Sequence, residues 1–358
     1  MEKVVNITHN DLDGIGCPIV IKFFYNNKSV EPIYCGYHDV EAAIAKVLDR
    51  IEAGENITQV YITDISFRKE SGLDKRIEQL NNSAGYCLIQ LFDHHATSGY
   101  LNRYDWAWSH ETDEDSGKKK CGTQWIYEFL LNEAMLNSYH IHDEVQRSLR
   151  KFVTLVNLWD TWRWVEDFPE NPCTPAQDLN MVYSLMGKKI FMERYTEKIF
   201  NGEEMIDEEE QLLLQCKRQE IEKDIANKDD EMITTSLCYE TKPNQVEFIK
   251  NYLESNHMTD KSYLLGKYKK VFHMGVVYLD RNISDVGNAL AAKHPELDFI
   301  MIISLPKTVS FRTVKDLDVP LGIIANYVTG KGGGHPKSAG GVLPYGLRFS
   351  ILDKIAEM

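Results

Sequence analysis

Three times in its first hundred residues this chain runs through an apolar stretch and comes out on a carboxylate or an imidazole. Val4-Val5-Asn6-Ile7 leads into Thr8-His9-Asn10-Asp11-Leu12-Asp13-Gly14, Gln59-Val60-Tyr61-Ile62-Thr63 ends on Asp64, and Tyr86-Cys87-Leu88-Ile89-Gln90-Leu91-Phe92 ends on Asp93-His94-His95. Short apolar runs bounded by polar residues read as buried strands. Between them, 15–24 reads as a buried helix, 41–53 as an amphipathic one and 73–80 as a third. Alternating strand and helix is the pattern of a parallel sheet with crossover helices. Such sheets bind ligands outside the carboxyl ends of their strands. His9, Asp11, Asp13, Asp64, Asp93, His94 and His95 are therefore expected to meet there.

Farther along, residues 106–120 are polar and irregular and read as an exposed loop. Gly122-Thr123-Gln124 opens a helix to about 135. A helix over 145–158 carries Leu149, Phe152, Val153 and Val156 at helical spacing and runs into Trp159-Asp160-Thr161-Trp162-Arg163-Trp164. Asp160, at a helix end, joins the candidates. The stretch 201–231 is rich in Glu, Gln and Lys with one apolar stripe, which predicts a long solvated helix between domains. Beyond Thr234 come strands over 271–277, 299–303 and 308–313, a helix over 284–293, and the loop Gly332-Gly333-Gly334-His335-Pro336. The expectation is an α/β protein of two domains, as 358 residues favour. A catalytic parallel-sheet domain spans 1–200, a helical linker 201–233, and a smaller α/β substrate-binding domain 234–358.

A net charge of −14 argues against coating long nucleic acid, which takes Lys and Arg to neutralise phosphates. It leaves short phosphorylated substrates open, because divalent cations turn an acid cluster attractive to phosphate. The seven cysteines contain no CxxC pair, so free thiols are expected and a zinc ribbon is excluded. No run approaches the roughly 20 apolar residues of a membrane span. The chain enters its first strand without a signal-peptide pattern. A cytoplasmic protein without membrane contact is expected.

Taken singly, Asp64 or Asp160 is more often a helix cap or turn residue, and His9 more often an ordinary surface or core histidine. Their joint placement points to metal. Mixed carboxylates and imidazoles suit Mn2+ or Mg2+, with histidine favouring Mn2+. Crowded carboxylates repel one another unless cations neutralise them. Two ions about 3.5–4 Å apart, sharing Asp64, would activate a water and stabilise a leaving oxygen.

His9-Asn10-Asp11-Leu12-Asp13-Gly14, the strand-terminal Asp64, Asp93-His94-His95 and Asp160 resemble the four motifs of the DHH phosphoesterase family. Gly332-Gly333-Gly334-His335, with Ala339 and Gly341, resembles that family's DHH-associated C-terminal domain. The resemblance covers nearly the whole chain. The two-domain layout and the Asp160-Thr161-Trp162-Arg163-Trp164 context look most like the nano-RNase B branch, which degrades very short oligonucleotides. The resemblance implies that Asp11 and Asp64, with His9 as a further candidate, hold one metal. Asp13, Asp64, His94 and Asp160 hold the second. Where many members carry a histidine four residues before the first aspartate, this chain has Ile7. His95 would contact the scissile phosphate and Asp93 would orient a histidine.

In the second domain, glycines at 332–334 let backbone N–H groups approach a phosphate. Gly333, Gly334 and His335 are thus candidate substrate contacts. Arg312 offers fork-like phosphate binding, and the resemblance adds Asn288. The implied activity is a phosphodiesterase or exonuclease acting on di- to pentanucleotides with two Mn2+, Mg2+ being the alternative, and releasing 5′-mononucleotides. Alternatives are a RecJ-like single-strand exonuclease, a bisphosphonucleotide phosphatase, a linear dinucleotide phosphodiesterase, and a degenerate nucleic-acid-binding scaffold. The intact aspartates count against the scaffold. A homodimer is left open.

Overall fold

β1 (Lys3–Thr8) enters the core at once. Side chains alternate across a strand, so Val5 and Ile7 join one apolar cluster and Val4 another on the opposite face. After it come α1 (Leu12–Phe24), β2 (Ser29–Tyr34), α2 (Val40–Glu52), β3 (Ile57–Thr63), α3 (Leu73–Ala84), β4 (Ile89–Asp93) and β5 (Ala107–Ser109). The computed structural model describes residues 3–25, 29–136, 141–304 and 308–343. Residues 344–358 of the expected second domain therefore lie outside the described residues. The chain divides into two compact units, Met1–Leu214 and Gln215–Met358.

In the first unit five parallel strands form a sheet ordered β2-β1-β3-β4-β5. The chain steps from β1 to β2 on one side, then returns to β3 on the other. Loops leaving β1 and β3 diverge there and open a crevice at the carboxyl end of the sheet. α2 and α3 cover one face through Ile44, Val47 and Ile77. The other face carries α1 together with α4 (Gly122–Leu136), α5 (Asp143–Asp160), α6 (Arg163–Glu166) and α7 (Thr174–Asn201). Ile15, Ile19, Ile126, Phe152, Val156 and Phe191 are buried in that layer, each contributing about 1.5–3 kcal/mol.

Some local expectations change. Within 106–120, Ala107–Ser109 pairs with β4 as a short edge strand. The helix expected over 201–231 starts later: α7 ends at Asn201, capped by Gly202, whose φ of 68° suits glycine, and a single long helix, α8, spans Glu208–Asp230. Asp207 and Glu210 bond reciprocally at the start of α8, Glu210 N–H to Asp207 Oδ1 at 2.9 Å and Asp207 N–H to Glu210 Oε2 at 3.0 Å. Glu210 is fully buried. Lys198 Nζ at 2.5 Å and Arg194 Nε at 2.9 Å compensate its charge. This part of the acidic run is a paired core element, not a solvated face.

In the second unit, β6 (Ile233–Glu240), α9 (Val246–Ser255), β7 (Lys269–Tyr278), α10 (Ile283–Lys293), β8 (Phe299–Ser304), β9 (Thr308–Arg312), α11 (Leu321–Thr329), β10 (Gly333–Gly334) and β11 (Ser338–Val342) follow in order. They build a mixed sheet, β10-β11-β9-β8-β7-β6, in which, among the described residues, β7 and β8 alone run parallel. Phe299, Phe311, Leu321 and Ile324 belong to its core.

Candidate metal centre

Each acid reaches the crevice by a local device. Asp11 caps α1, its Oδ1 accepting from Gly14 N–H at 2.9 Å while Oδ2 lies 2.6 Å from His9 Nδ1. Burial raises its pKa, but the His9 and Gly14 contacts outweigh that and hold it at about 2. Asp13, in the first turn of α1, is buried and points at the start of α4. Its two oxygens accept from Gly122 N–H at 2.7 Å and Thr123 N–H at 2.8 Å, using a helix N-terminus as an anion site. Asp64 follows β3 in a left-handed conformation, φ 55°. Such backbone is uncommon outside glycine, though aspartate tolerates it better than most residues.

From β4, Asp93 and His95 form one pair, Oδ1 to Nδ1 at 2.7 Å. Burial opposes this charge separation, yet the bond and the mutual attraction hold Asp93 at about 2 and lift His95 to about 9. An ionised Asp93 only accepts, so His95 Nδ1 carries the proton and donates. His94 turns the other way. Its Nε2 lies 3.2 Å from Asp64 Oδ1, 3.4 Å from Asp160 Oδ2 and 3.8 Å from Asp13 Oδ2. Asp160 arrives as the last residue of α5. Three Trp rings crowd around that corner, with Trp159 and Trp164 centroids 5.4 Å apart and Trp162 5.6 Å from Trp164.

His9, Asp11, Asp13, Asp64, Asp93, His94, His95 and Asp160 thus gather in the first unit. Their ligand atoms fall into three overlapping groups: His9 with Asp11 and Asp64; Asp13 with His94 and Asp160; and Asp64 with Asp93, His94 and His95. Within each group the atoms lie within 4.8 Å of one another. Among the described residues, the buried oxygens Asp64 Oδ2 and Asp160 Oδ2 accept no hydrogen bond. His9 Nδ1 lies 3.9 Å from the first and His94 Nε2 3.4 Å from the second. Burial first, and then the neighbouring carboxylates, push both acids well above the usual carboxylate range. Orphaned acceptors under mutual repulsion fit divalent cations, which satisfy both at once.

The other five candidates lie in the second unit. Arg312, on β9, donates through Nη2 to Ser284 Oγ at 2.9 Å and through Nη1 to the Phe311 carbonyl at 2.9 Å. Burial draws its pKa below the ordinary arginine value. Asn288 is exposed on α10, one turn beyond Ser284. Gly333 and Gly334 form β10, and His335 is exposed in the turn to β11, its N–H bonded to the Ser338 carbonyl. The glycine run is therefore a hairpin. A Cβ on Gly334, whose φ is 135°, would meet Ala339 Cα at 2.7 Å, while one on Gly333 meets nothing within 4 Å.

Four contributors escape the sequence reading. Gly122 and Thr123 supply the donors to Asp13, and their only signal is glycine and threonine at a helix start. Asn157 Oδ1 accepts from Cys121 N–H at 2.8 Å, tying α5 to the start of α4. Tyr37, in the turn after β2, sets its hydroxyl 3.1 Å from His95 Nε2.

The parallel-sheet fold and the acid cluster agree with the resemblance to DHH phosphoesterases that the sequence motifs carry. It resembles oligoribonuclease NrnB of Bacillus subtilis (strain 168), with 26% identity over 355 residues covering 98% of this chain and 73% of that protein. A 3′,5′-cyclic-nucleotide phosphodiesterase of Helicobacter pylori (strain ATCC 700392 / 26695) is 25% identical over 166 residues, 45% of this chain and 44% of its own. Among solved structures, RecJ in complex with Mn2+ from Thermus thermophilus is 9% identical at a TM-score of 0.45, covering 99% of this chain and 51% of that one. No family model matches.

Proposed function

We propose that this chain is a divalent-cation-dependent phosphodiesterase that trims very short oligonucleotides to 5′-mononucleotides. The observation that carries it is the pair of orphaned buried oxygens, Asp64 Oδ2 and Asp160 Oδ2, inside a cluster of imidazoles and further carboxylates. The near full-length likeness to an oligoribonuclease supports the substrate class. His9, Asp11 and Asp64 would hold one ion, and Asp13, Asp64, His94 and Asp160 the other. Imidazole among the ligands favours Mn2+ over Mg2+. Bound there, the ions supply Lewis-acid polarisation and charge neutralisation for attack at phosphorus.

The chain's own residues do the rest. The α4 amide groups lock Asp13, so its oxygens cannot swing away from the crevice. Asp93 anchors His95 through Nδ1 and leaves Nε2 to meet a non-bridging oxygen of the scissile phosphate. In the second unit, Gly333 and Gly334 main-chain groups, His335, Arg312 and Asn288 are proposed to bind the terminal phosphate or nucleotide. No helix among the described residues is long and apolar enough to cross a membrane. All seven cysteines are free thiols, which supports a reducing, cytoplasmic setting.

The test is a rate series on labelled RNA and DNA from dimers to long single strands, with Mn2+, with Mg2+ and with chelator. Rates should fall steeply with length and vanish without cation. A flat or rising length profile would refute the short-substrate reading, and undiminished turnover in chelator would refute the cation requirement. Asp13→Asn is the better inactive control. Asp13→Ala would strip the acceptor from two α4 amides, at about 1–2 kcal/mol.

A further inference from the structure

The apolar clusters of the first unit leave Tyr37 out. It is 58% exposed and belongs to neither of them. What surrounds it is the site. Its ring centroid lies 5.0 Å from that of His9, and it meets His95 edge-on at 6.0 Å. Its hydroxyl sits 3.1 Å from His95 Nε2. Because Asp93 occupies Nδ1 at 2.7 Å, Nε2 is the nitrogen His95 has left for a substrate, and Tyr37 stands directly beside it. The ring is engaged by two imidazoles, so the chemical function it can offer a substrate is the hydroxyl.

We propose that Tyr37 is a substrate-positioning residue, its hydroxyl and His95 Nε2 forming a two-point grip on one non-bridging oxygen of the scissile phosphate. The proposal rests on the phosphodiesterase reading above. Two polar atoms 3.1 Å apart can both lie within hydrogen-bond reach of one phosphate oxygen. A hydroxyl hydrogen rotates freely, so Tyr37 can aim its donor at the substrate oxygen without moving its ring. A neutral phenol also adds a phosphate donor to an acid-rich site without consuming a carboxylate in an ion pair. β2 thereby becomes a fourth strand of the sheet whose carboxyl end serves the site.

The experiment compares wild-type protein with Tyr37→Phe and Tyr37→Ala, as the full chain with Mn2+ on a labelled dinucleotide. Tyr37→Phe keeps the ring and should lower kcat/KM about tenfold, the order of one lost hydrogen bond to a charged group. The loss should fall on KM, with kcat changed by less than about twofold, as for binding shared by ground and transition states. Inhibition by inorganic phosphate should weaken in parallel. Tyr37→Phe matching wild type in kcat/KM and in phosphate inhibition would overturn the proposal. So would a full effect confined to Tyr37→Ala, since that would assign the role to the ring. If wild type leaves the dinucleotide intact, the phosphodiesterase reading fails on its own. Calorimetric binding of inorganic phosphate in Mn2+, tighter to wild type than to Tyr37→Phe, then decides the role of Tyr37 separately.

Discussion

Replacing Gly122 by alanine should damage both stability and turnover, although alanine is the better helix former. A Cβ at this first residue of α4 would lie 2.9 Å from Asp64 Cβ, 3.0 Å from Asp64 Cα and 3.0 Å from Asp13 Oδ2. Two of those atoms are backbone or side-chain stem and have no rotamer by which to retreat. Overpacking of this kind costs about 1–3 kcal/mol. Alanine's helix preference returns at most about 1 kcal/mol, and less at a helix end. A net loss of about 1–2 kcal/mol should lower the melting temperature by roughly 2–8 °C for a unit of this size. The larger effect is catalytic. Relief of the clash displaces Asp64 and Asp13 together, and an error of about 1 Å in reacting geometry costs on the order of a hundredfold in rate. Calorimetry together with Mn2+-dependent dinucleotide hydrolysis measures both. A raised melting temperature with wild-type turnover would refute the reasoning, because it would mean that α4 does not approach the acids this closely.

In metal-free protein, Asp64 and Asp160 sit above the carboxylate range, so the folded state holds protons the unfolded chain releases. That contribution falls as pH rises from the ordinary carboxylate range through the raised values. The metal-free melting temperature should therefore drop from mildly acidic to neutral pH, and Mn2+ should raise it most at neutral pH; equal Mn2+ shifts at both would contradict the cluster electrostatics. Gly334→Ala should destabilise the second unit by more than about 1 kcal/mol, given its φ of 135° and the 2.7 Å approach to Ala339 Cα. Gly333→Ala should leave stability within about 0.5 kcal/mol and weaken substrate binding; denaturant melts and KM values that reverse this order would refute the hairpin assignment.

The acids were legible because strand and carboxylate alternate along the chain: an apolar run followed by Asp64 or Asp93 states both the element and the end that carries chemistry. β2 was not, since Ser29–Tyr34 contains Pro32, which reads against a strand interior and is tolerated here at a sheet edge. α7 was missed because Gly187, at φ 72°, bends it and breaks its apolar periodicity. Glu210 looked like one more solvated acid. Its burial follows from Lys198 and Arg194, a turn or more away on a different helix, which no local pattern announces. The same holds at the site. Nothing near residue 13 says that its carboxylate will meet residues 122 and 123, and nothing near residue 37 says that its hydroxyl will find His95. Local sequence gives the ends of elements, whereas the approach of one element to another is set by packing.

The cluster draws on positions from His9 to Asp160, most of the length of the first unit. In a disordered chain, holding such distant ligands around one ion would mean closing a loop of about 150 residues, on the order of 4 kcal/mol of chain entropy. The docked α5 has already closed it. An ion binding tightly at all of these ligands therefore selects finished molecules, and it shifts the folding balance toward them by mass action. During synthesis His9, Asp11, Asp13 and Asp64 emerge well before Asp160, so the early chain carries acids without a centre. Capture of an ion by the full ligand set would then require α5 to have reached its place.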